Sequence, residues 1–168
     1  MMESFDWERL GDIALGRENL GTEMPVIVYR LLQYTMRDEL VARYGEGVAT
    51  EVLRNAGYRA GISFCRNVIK ERGSFNSFIA DVQKQLKRLK IGIFRVEKAD
   101  INNMKFVLTV SEDLDCSGLP VSGDTVCDYD EGFISGILQE FTGQRFAVQE
   151  VDCWATGDRT CRFVADRI

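Results

Sequence analysis

Histidine is absent from the 168 residues. That absence removes at once the commonest general base, the commonest haem ligand and the commonest catalytic zinc ligand. It also leaves no Ser-His or Cys-His pair to activate a nucleophile. The sequence shows no phosphate loop, no nucleophile elbow and no dinucleotide fingerprint G-x-G-x-x-G. Gly11-x4-Gly16-Arg17 lacks the Lys-Ser/Thr that would complete a phosphate loop. No apolar run approaches a membrane span, and Met1–Trp7 is acidic without an apolar leader core, so a cytoplasmic protein with no membrane partner is expected. Basic residues are outnumbered, 21 Lys and Arg against 26 Asp and Glu. The chain therefore lacks the basic face that neutralises phosphates, and no nucleic-acid partner is expected.

What is present suffices for one core. With 45% hydrophobic residues, a single domain over 1–168 is expected, without linker, internal repeat or low-complexity tract. After a short amphipathic piece around Phe5, Trp7 and Leu10 and an irregular stretch to Gly21, Thr22 suits a helix N-cap and Pro25 the first turn. That helix runs to about Tyr44, apolar nearly all round at Val26-Ile27-Val28-Tyr29, with Leu31, Leu32, Met36 and Leu40 as its buried row. A second helix spans about Glu46 to Glu71. Its small residues Ala56, Gly57, Ala60 and Gly61 suit either close helix approach or space for a ligand. After a Ser74 cap, a third helix puts Phe78, Val82, Leu86 and Leu89 on one face.

From Gly92 the period changes from helix to strand. Ile93–Val96 and Lys105–Val110 read as two strands joined through Asp100–Asn103, and Arg145–Asp152 and Thr160–Ala165 as two more, with a helix over Asp128–Phe141 between the pairs. The expected class is α+β: an antiparallel sheet of about four strands with helices packed on one face. The loop Ser117–Asp124, with Gly118, Pro120 and Gly123, reads as mobile.

Chemistry concentrates between Cys127 and Cys161. Cys127 lies seven residues before Ile134 on the inward row of its helix. Phe146, Val148 and Glu150 alternate onto one strand face, which places a carboxylate where a core residue belongs, and a buried carboxylate needs a partner. Cys153 and Cys161 stand four residues either side of Gly157, so a hairpin turning there sets them nearly opposite. Cys127, Glu150, Cys153 and Cys161 thus converge. Three thiolates and a carboxylate suit a closed, structural tetrahedral zinc site, and the neighbouring helix N-terminus favours the Cys127 thiolate. A Cys153–Cys161 disulfide and free thiols acting as small core residues are the other readings of the same spacing. Cys65, in a helical pattern, and Cys116, in a Ser/Gly/Pro loop, are left over. Asp128, Asp130 and Glu131 suit the positive end of the helix better than acid–base work.

Cys127-x4-Gly132-x3-Gly136, then Gly143, then Glu150-x2-Cys153-x3-Gly157-x3-Cys161-x-Phe163 resembles the signature of the 4-vinyl-reductase domain. That family includes the aromatic-effector-binding domains of bacterial transcription activators, and its fold is similar to that of small subunits of the vesicle-trafficking particle. The motif covers roughly the last quarter of the chain. Leu20-Gly21-x3-Pro25-Val26 and Ala56-Gly57-x3-Gly61 extend it loosely into the rest. The resemblance implies the α+β architecture and, from the activator branch, zinc on the positions matching Cys127, Glu150, Cys153 and Cys161.

The resemblance and the helix-over-sheet pattern lead to a binding or sensor module for a small hydrophobic or aromatic ligand. Tyr29, Tyr34, Phe64, Phe94, Phe106, Phe133 and Phe146 are the candidate walls, though each also suits a plain core. The alternative is an enzyme or accessory protein in tetrapyrrole vinyl-group reduction. It would need hydride from a cofactor for which the chain has no fingerprint. Unlike the activators, this chain has no histidine for a phenolic hydroxyl. The doubly apolar Val26–Leu32 segment further predicts a homodimer through the helical first half.

Overall fold

Five helices and a four-stranded antiparallel sheet, the α+β class expected, are built by residues 5–168, which a computed structural model describes. Residues 1–4, the start of the acidic N-terminal segment, lie outside the described residues. The chain forms two compact units, Met1–Ala49 and Thr50–Ile168. Among the described residues no helix is long and apolar enough to cross a membrane.

The first unit opens with a 3-10 turn over Trp7–Leu10, capped by Asp6, and a short helix α1 (Ile13–Gly16), where an irregular stretch was expected. The Asp12 side chain accepts the Leu15 N–H at 2.9 Å, and such an aspartate cap stabilises even one turn. Helix α2 covers Val26–Tyr44. Its N-cap is Pro25, not Thr22: the proline ring holds φ at −63° with extended ψ, so the helix begins one residue later without a side-chain cap. The expected buried row is also corrected, because no residue of α2 is buried and Leu31, Leu32 and Met36 are exposed.

Helix α3 (Glu46–Val68) runs from the first unit into the second. It stops short of the predicted Glu71 because the next backbone donors are taken elsewhere. The Asp81 carboxylate accepts the N–H groups of Lys70 (2.7 Å) and Glu71 (3.2 Å). Helix α4 (Phe75–Arg88) starts at the predicted Ser74 with a reciprocal capping box, Ser77 answering Ser74. Phe78, Val82 and Leu86 are buried as expected, but Leu89 is exposed because it is already the C-cap.

Strands β1 (Ile93–Asp100) and β2 (Lys105–Ser111) form the first hairpin, turned by the Asp100 side chain accepting the Asn103 N–H at 3.1 Å. Helix α5 (Asp128–Thr142) then crosses to β3 (Phe146–Asp152) and β4 (Thr160–Arg167). The sheet order is β1-β2-β4-β3 with every pair antiparallel, which leaves β3 at an edge. Alternate residues of β2, β3 and β4 are buried, and Phe78, Phe106, Leu108, Leu138 and Phe163 form the core with the cysteines. Each such side chain contributes about 1.5–3 kcal/mol by leaving water.

The small-residue patch of α3 packs against α5. A Cβ on Gly57 or Gly61 would stand 2.0 or 2.1 Å from the carbonyl oxygens of Tyr129 and Phe133. Close helix approach is therefore what these glycines serve.

Candidate functional site

Three elements bring four sulfurs together. Cys127 is the N-cap of α5, Cys153 follows the end of β3, and Cys161 lies in β4 opposite Val110 of β2. The chain turns between Cys153 and Cys161 as expected, through a 3-10 turn (Trp154–Thr156) and Gly157 at φ 106°. The fourth sulfur belongs to Cys116, which the sequence pattern left as a spare.

Cys116 Sγ lies 3.1 Å from Cys161 Sγ, and Cys127 Sγ lies 3.8 Å from Cys153 Sγ and 3.9 Å from Cys161 Sγ. All four Sγ atoms fall within 4.8 Å of one another and all four residues are buried. No disulfide is formed by any of the five cysteines. Cys65 stands apart in α3, where Arg72 donates to its carbonyl at 2.6 Å.

The loop that carries Cys116 is tied down, against the expected mobility. Asp113 Oδ1 accepts the N–H groups of Asp115 (2.7 Å) and Cys116 (3.2 Å). Ser122 and Gly123 donate to the Ala155 carbonyl at 2.9 and 3.0 Å, and the Trp154 indole donates to the Leu119 carbonyl at 3.0 Å. Each buried backbone group so paired avoids the cost of desolvation without a partner.

Glu150 faces the cluster from β3. One carboxyl oxygen, Oε2, accepts the Cys127 N–H at 3.1 Å, while Oε1 is buried without a hydrogen-bond partner. Burial first, and then the charge on Cys153, push its carboxyl up to about 8. Hydrogen bonds from the thiols of Cys116, Cys127 and Cys161 hold Cys153 below the usual thiol range, whereas the contacts among the sulfurs push Cys127 and Cys161 up. Left to itself, the cluster favours one thiolate solvated by neighbouring thiols.

Two further acids stand beside the sulfurs. An oxygen each of Asp113 and Asp130 lies within 4.8 Å of Cys127 Sγ. Burial, then the neighbouring Asp115, raises Asp113 to about 7; burial, then Asp113, holds Asp130 well above the carboxylate range. Asp130 Oδ2 is buried without a hydrogen-bond partner. The helix-start acids thus divide by role. Glu131 is buried and paired with Arg54, whose Nε donates at 2.7 Å, and its other oxygen accepts the Glu150 N–H at 2.7 Å. Asp128 accepts from Thr50 at 3.2 Å, and Asp130 points inward.

Asp113 and Asp130 also form the polar end of an apolar cavity between α4, β1, β2 and α5. Ile79, Val82, Leu86, Phe94, Phe133 and Ile137 are among its walls, and it has room for about 30 Å³. Of the predicted walls it contains Phe94 and Phe133. Phe64 packs on Phe133 with ring centres 5.2 Å apart, and Phe106 lies 5.8 Å from Phe146, so these rings fill space. Tyr29 and Tyr34 are half-buried on α2 in the first unit and line neither this cavity nor the larger one. That larger cavity, about 700 Å³, is polar and follows the outer side of β3; Arg54, Tyr58, Ser135, Gln139, Arg145 and Phe146 are among its lining residues.

Residues 106–167 match the vinyl-4-reductase (4VR) domain, a stretch that contains Cys127, Glu150, Cys153 and Cys161. The uncharacterized protein MJ0150 of Methanocaldococcus jannaschii is 29% identical over 107 residues, 64% of this chain and 61% of that protein, so the match spans less than two thirds of that relative. Among solved structures, the chain is similar to a vinyl-4-reductase family protein from the same organism (TM-score 0.64, 17% identity, 99% of each chain). It is also similar to the phenol-responsive sensory domain of the transcription activator PoxR, solved with phenol (0.68, 16%, 88% of this chain and 78% of that one). A trafficking protein particle complex subunit 3 from Naegleria fowleri, covalently bound to palmitic acid, shares the fold as well (0.68, 12%, 85% and 95%). The resemblance drawn from the cysteine motif holds in both sequence and fold.

Proposed function

We propose that this chain of vinyl-4-reductase fold is a binding or sensor module for a small hydrophobic or aromatic ligand, built around a structural zinc centre. The observation that carries the ligand reading is the apolar cavity ending at two buried acids, Asp113 and Asp130, one of which has an unpartnered oxygen. An apolar chamber with a few convergent polar groups is the usual form of a small-molecule site. The phenol-responsive domain of the same fold supports this class of ligand. In a chain without histidine, Asp130 Oδ2 is the acceptor on hand for a ligand hydroxyl. About 30 Å³ admits a water or two, so a phenol-sized guest enters as the Phe94 and Phe133 rings move apart.

Thermal unfolding with phenol and alkylphenols tests the reading. Ligand at a hundred times its Kd is expected to stabilise the protein by about 2.7 kcal/mol, and Asp130→Ala to abolish the shift. A flat response to phenols, with an absorbance change on adding a porphyrin, would favour the tetrapyrrole alternative instead.

Zinc suits the donor set. Buried thiols that crowd one another raise two of their number out of reach of ionisation, and a divalent cation is the partner that lets them ionise. Cys127, Cys153 and Cys161, with a fourth donor from the same cluster, would hold it. Bound there, zinc would cross-link the start of α5 to the β3–β4 hairpin and leave no place for substrate. The module is further taken to be a homodimer through α2, whose Val26, Ile27, Val28, Leu31 and Leu32 are 47–70% exposed in the single chain.

A further inference from the structure

We infer that the fourth metal ligand is the Cys116 thiolate, making an all-sulfur centre, and that Glu150 stands outside it as the acceptor that holds the Cys127 backbone. The inference rests on the zinc reading and specifies its donors. Tetrahedral zinc with metal–sulfur bonds of about 2.3 Å has sulfur–sulfur edges of about 3.8 Å. The Cys127–Cys153 and Cys127–Cys161 separations of 3.8 and 3.9 Å already have that length. Cys116 Sγ, 3.1 Å from Cys161 Sγ, sits at the remaining corner and needs only to draw back slightly.

Glu150 is differently engaged. Its Oε2 is spent on the Cys127 N–H, and its own N–H is anchored by Glu131 Oε1 at 2.7 Å, itself paired with Arg54. Such a carboxylate orients a ligand residue through its backbone, as outer partners of metal sites do. Cys116 is presented with equal care: Asp113 Oδ1 holds its N–H, and Ala155, next but one to Cys153, clamps the same loop at Ser122 and Gly123. A thiolate is also the softer donor, and three sulfurs already set the character of the site.

The test uses the full-length protein, stripped of metal under reducing conditions and titrated with zinc or with cobalt(II), whose thiolate charge-transfer absorption grows with the number of bound sulfurs. Wild type and Glu150→Gln are expected to give the same spectrum and one equivalent of metal. Cys116→Ser is expected to lose charge-transfer intensity and to bind zinc at least about tenfold more weakly. Zinc-edge X-ray absorption on the wild type makes the result independent of how the variants fold, and a shell of four sulfurs is expected. A shell of three sulfurs and one oxygen, or a spectrum altered by Glu150→Gln and untouched by Cys116→Ser, overturns the assignment and makes Glu150 the ligand. A wild type that takes up no metal overturns the zinc reading itself.

Discussion

Gly132 of α5 lies against Arg54 of α3 so closely that a Cβ on the glycine would stand 1.9 Å from the Arg54 carbonyl oxygen. One turn on, Gly136 meets Tyr58 in the same way, at 2.2 Å, while Gly57 and Gly61 return the contact from α3. The two backbones therefore touch along a full Gly-x3-Gly stretch of each helix. Alanine at 132 must push the helices apart, and Gly132→Ala is expected to destabilise by about 1–3 kcal/mol or more. Gly47→Ala is the contrast: nothing approaches a Cβ there, so helix propensity should prevail and stability rise by up to about 1 kcal/mol. Urea midpoints check both, and a Gly132→Ala variant as stable as wild type would refute the contact.

Arg54 has a second task, as cation to the buried Glu131. Arg54→Met removes the partner of a carboxylate that has no access to water, at a cost of about 2 kcal/mol, moderated because the arginine is itself half-exposed. The double variant Arg54→Met/Glu131→Gln should regain part of that loss, since a neutral amide needs no cation and still accepts the Glu150 N–H. Additive losses in the two single variants would argue against the pairing.

Asp81 supplies a pH dependence of definite sign. Burial alone would raise its carboxyl, but hydrogen bonds from Gln85 and from the backbone of Lys70 and Glu71 outweigh it and hold the group below its ordinary value. The carboxylate form is thus favoured by folding. Its contribution is fully present above the unfolded value near 3.9 and is lost as pH falls through the lower folded value. Asp81→Asn is expected to be less stable than wild type at neutral pH, with the gap narrowing toward pH 2. Parallel stability curves from pH 7 to 2 would contradict this account.

The dimer is checked by light scattering at micromolar concentration. Wild type is expected at twice the 19.1 kDa chain mass. Ile27→Glu, at the most exposed apolar position of α2, is expected to give a folded monomer, because a two-fold contact buries the new charge twice. A wild type at the monomer mass would end the proposal.

Periodicity and spacing carry far in this chain. Apolar rows at helical spacing delimit α4 and α5, Ser74 announces its helix, and strict alternation in Phe146-x-Val148-x-Glu150 places a carboxylate in the interior before any coordinates are known. Those signals are local, and a repeating backbone transmits them from residue to residue. Three of the four clustered cysteines follow from the same logic, since a helix start and a hairpin about Gly157 direct them inward.

Tertiary structure alone decided the rest. Cys116 lies in a loop without period, so nothing in its neighbours says where it points. It reaches the sulfurs because Asp113 and Ala155 bind the loop's backbone there. Asp128, Asp130 and Glu131 look alike as three acids at a helix start. Successive helical positions face different ways, and only the packed neighbours separate one paired with Thr50, one aimed into the interior and one paired with Arg54. The apolar stretch at the start of α2 shows the opposite limit: composition marked it for burial, but burial depends on a partner surface, and within the single chain that surface is not supplied.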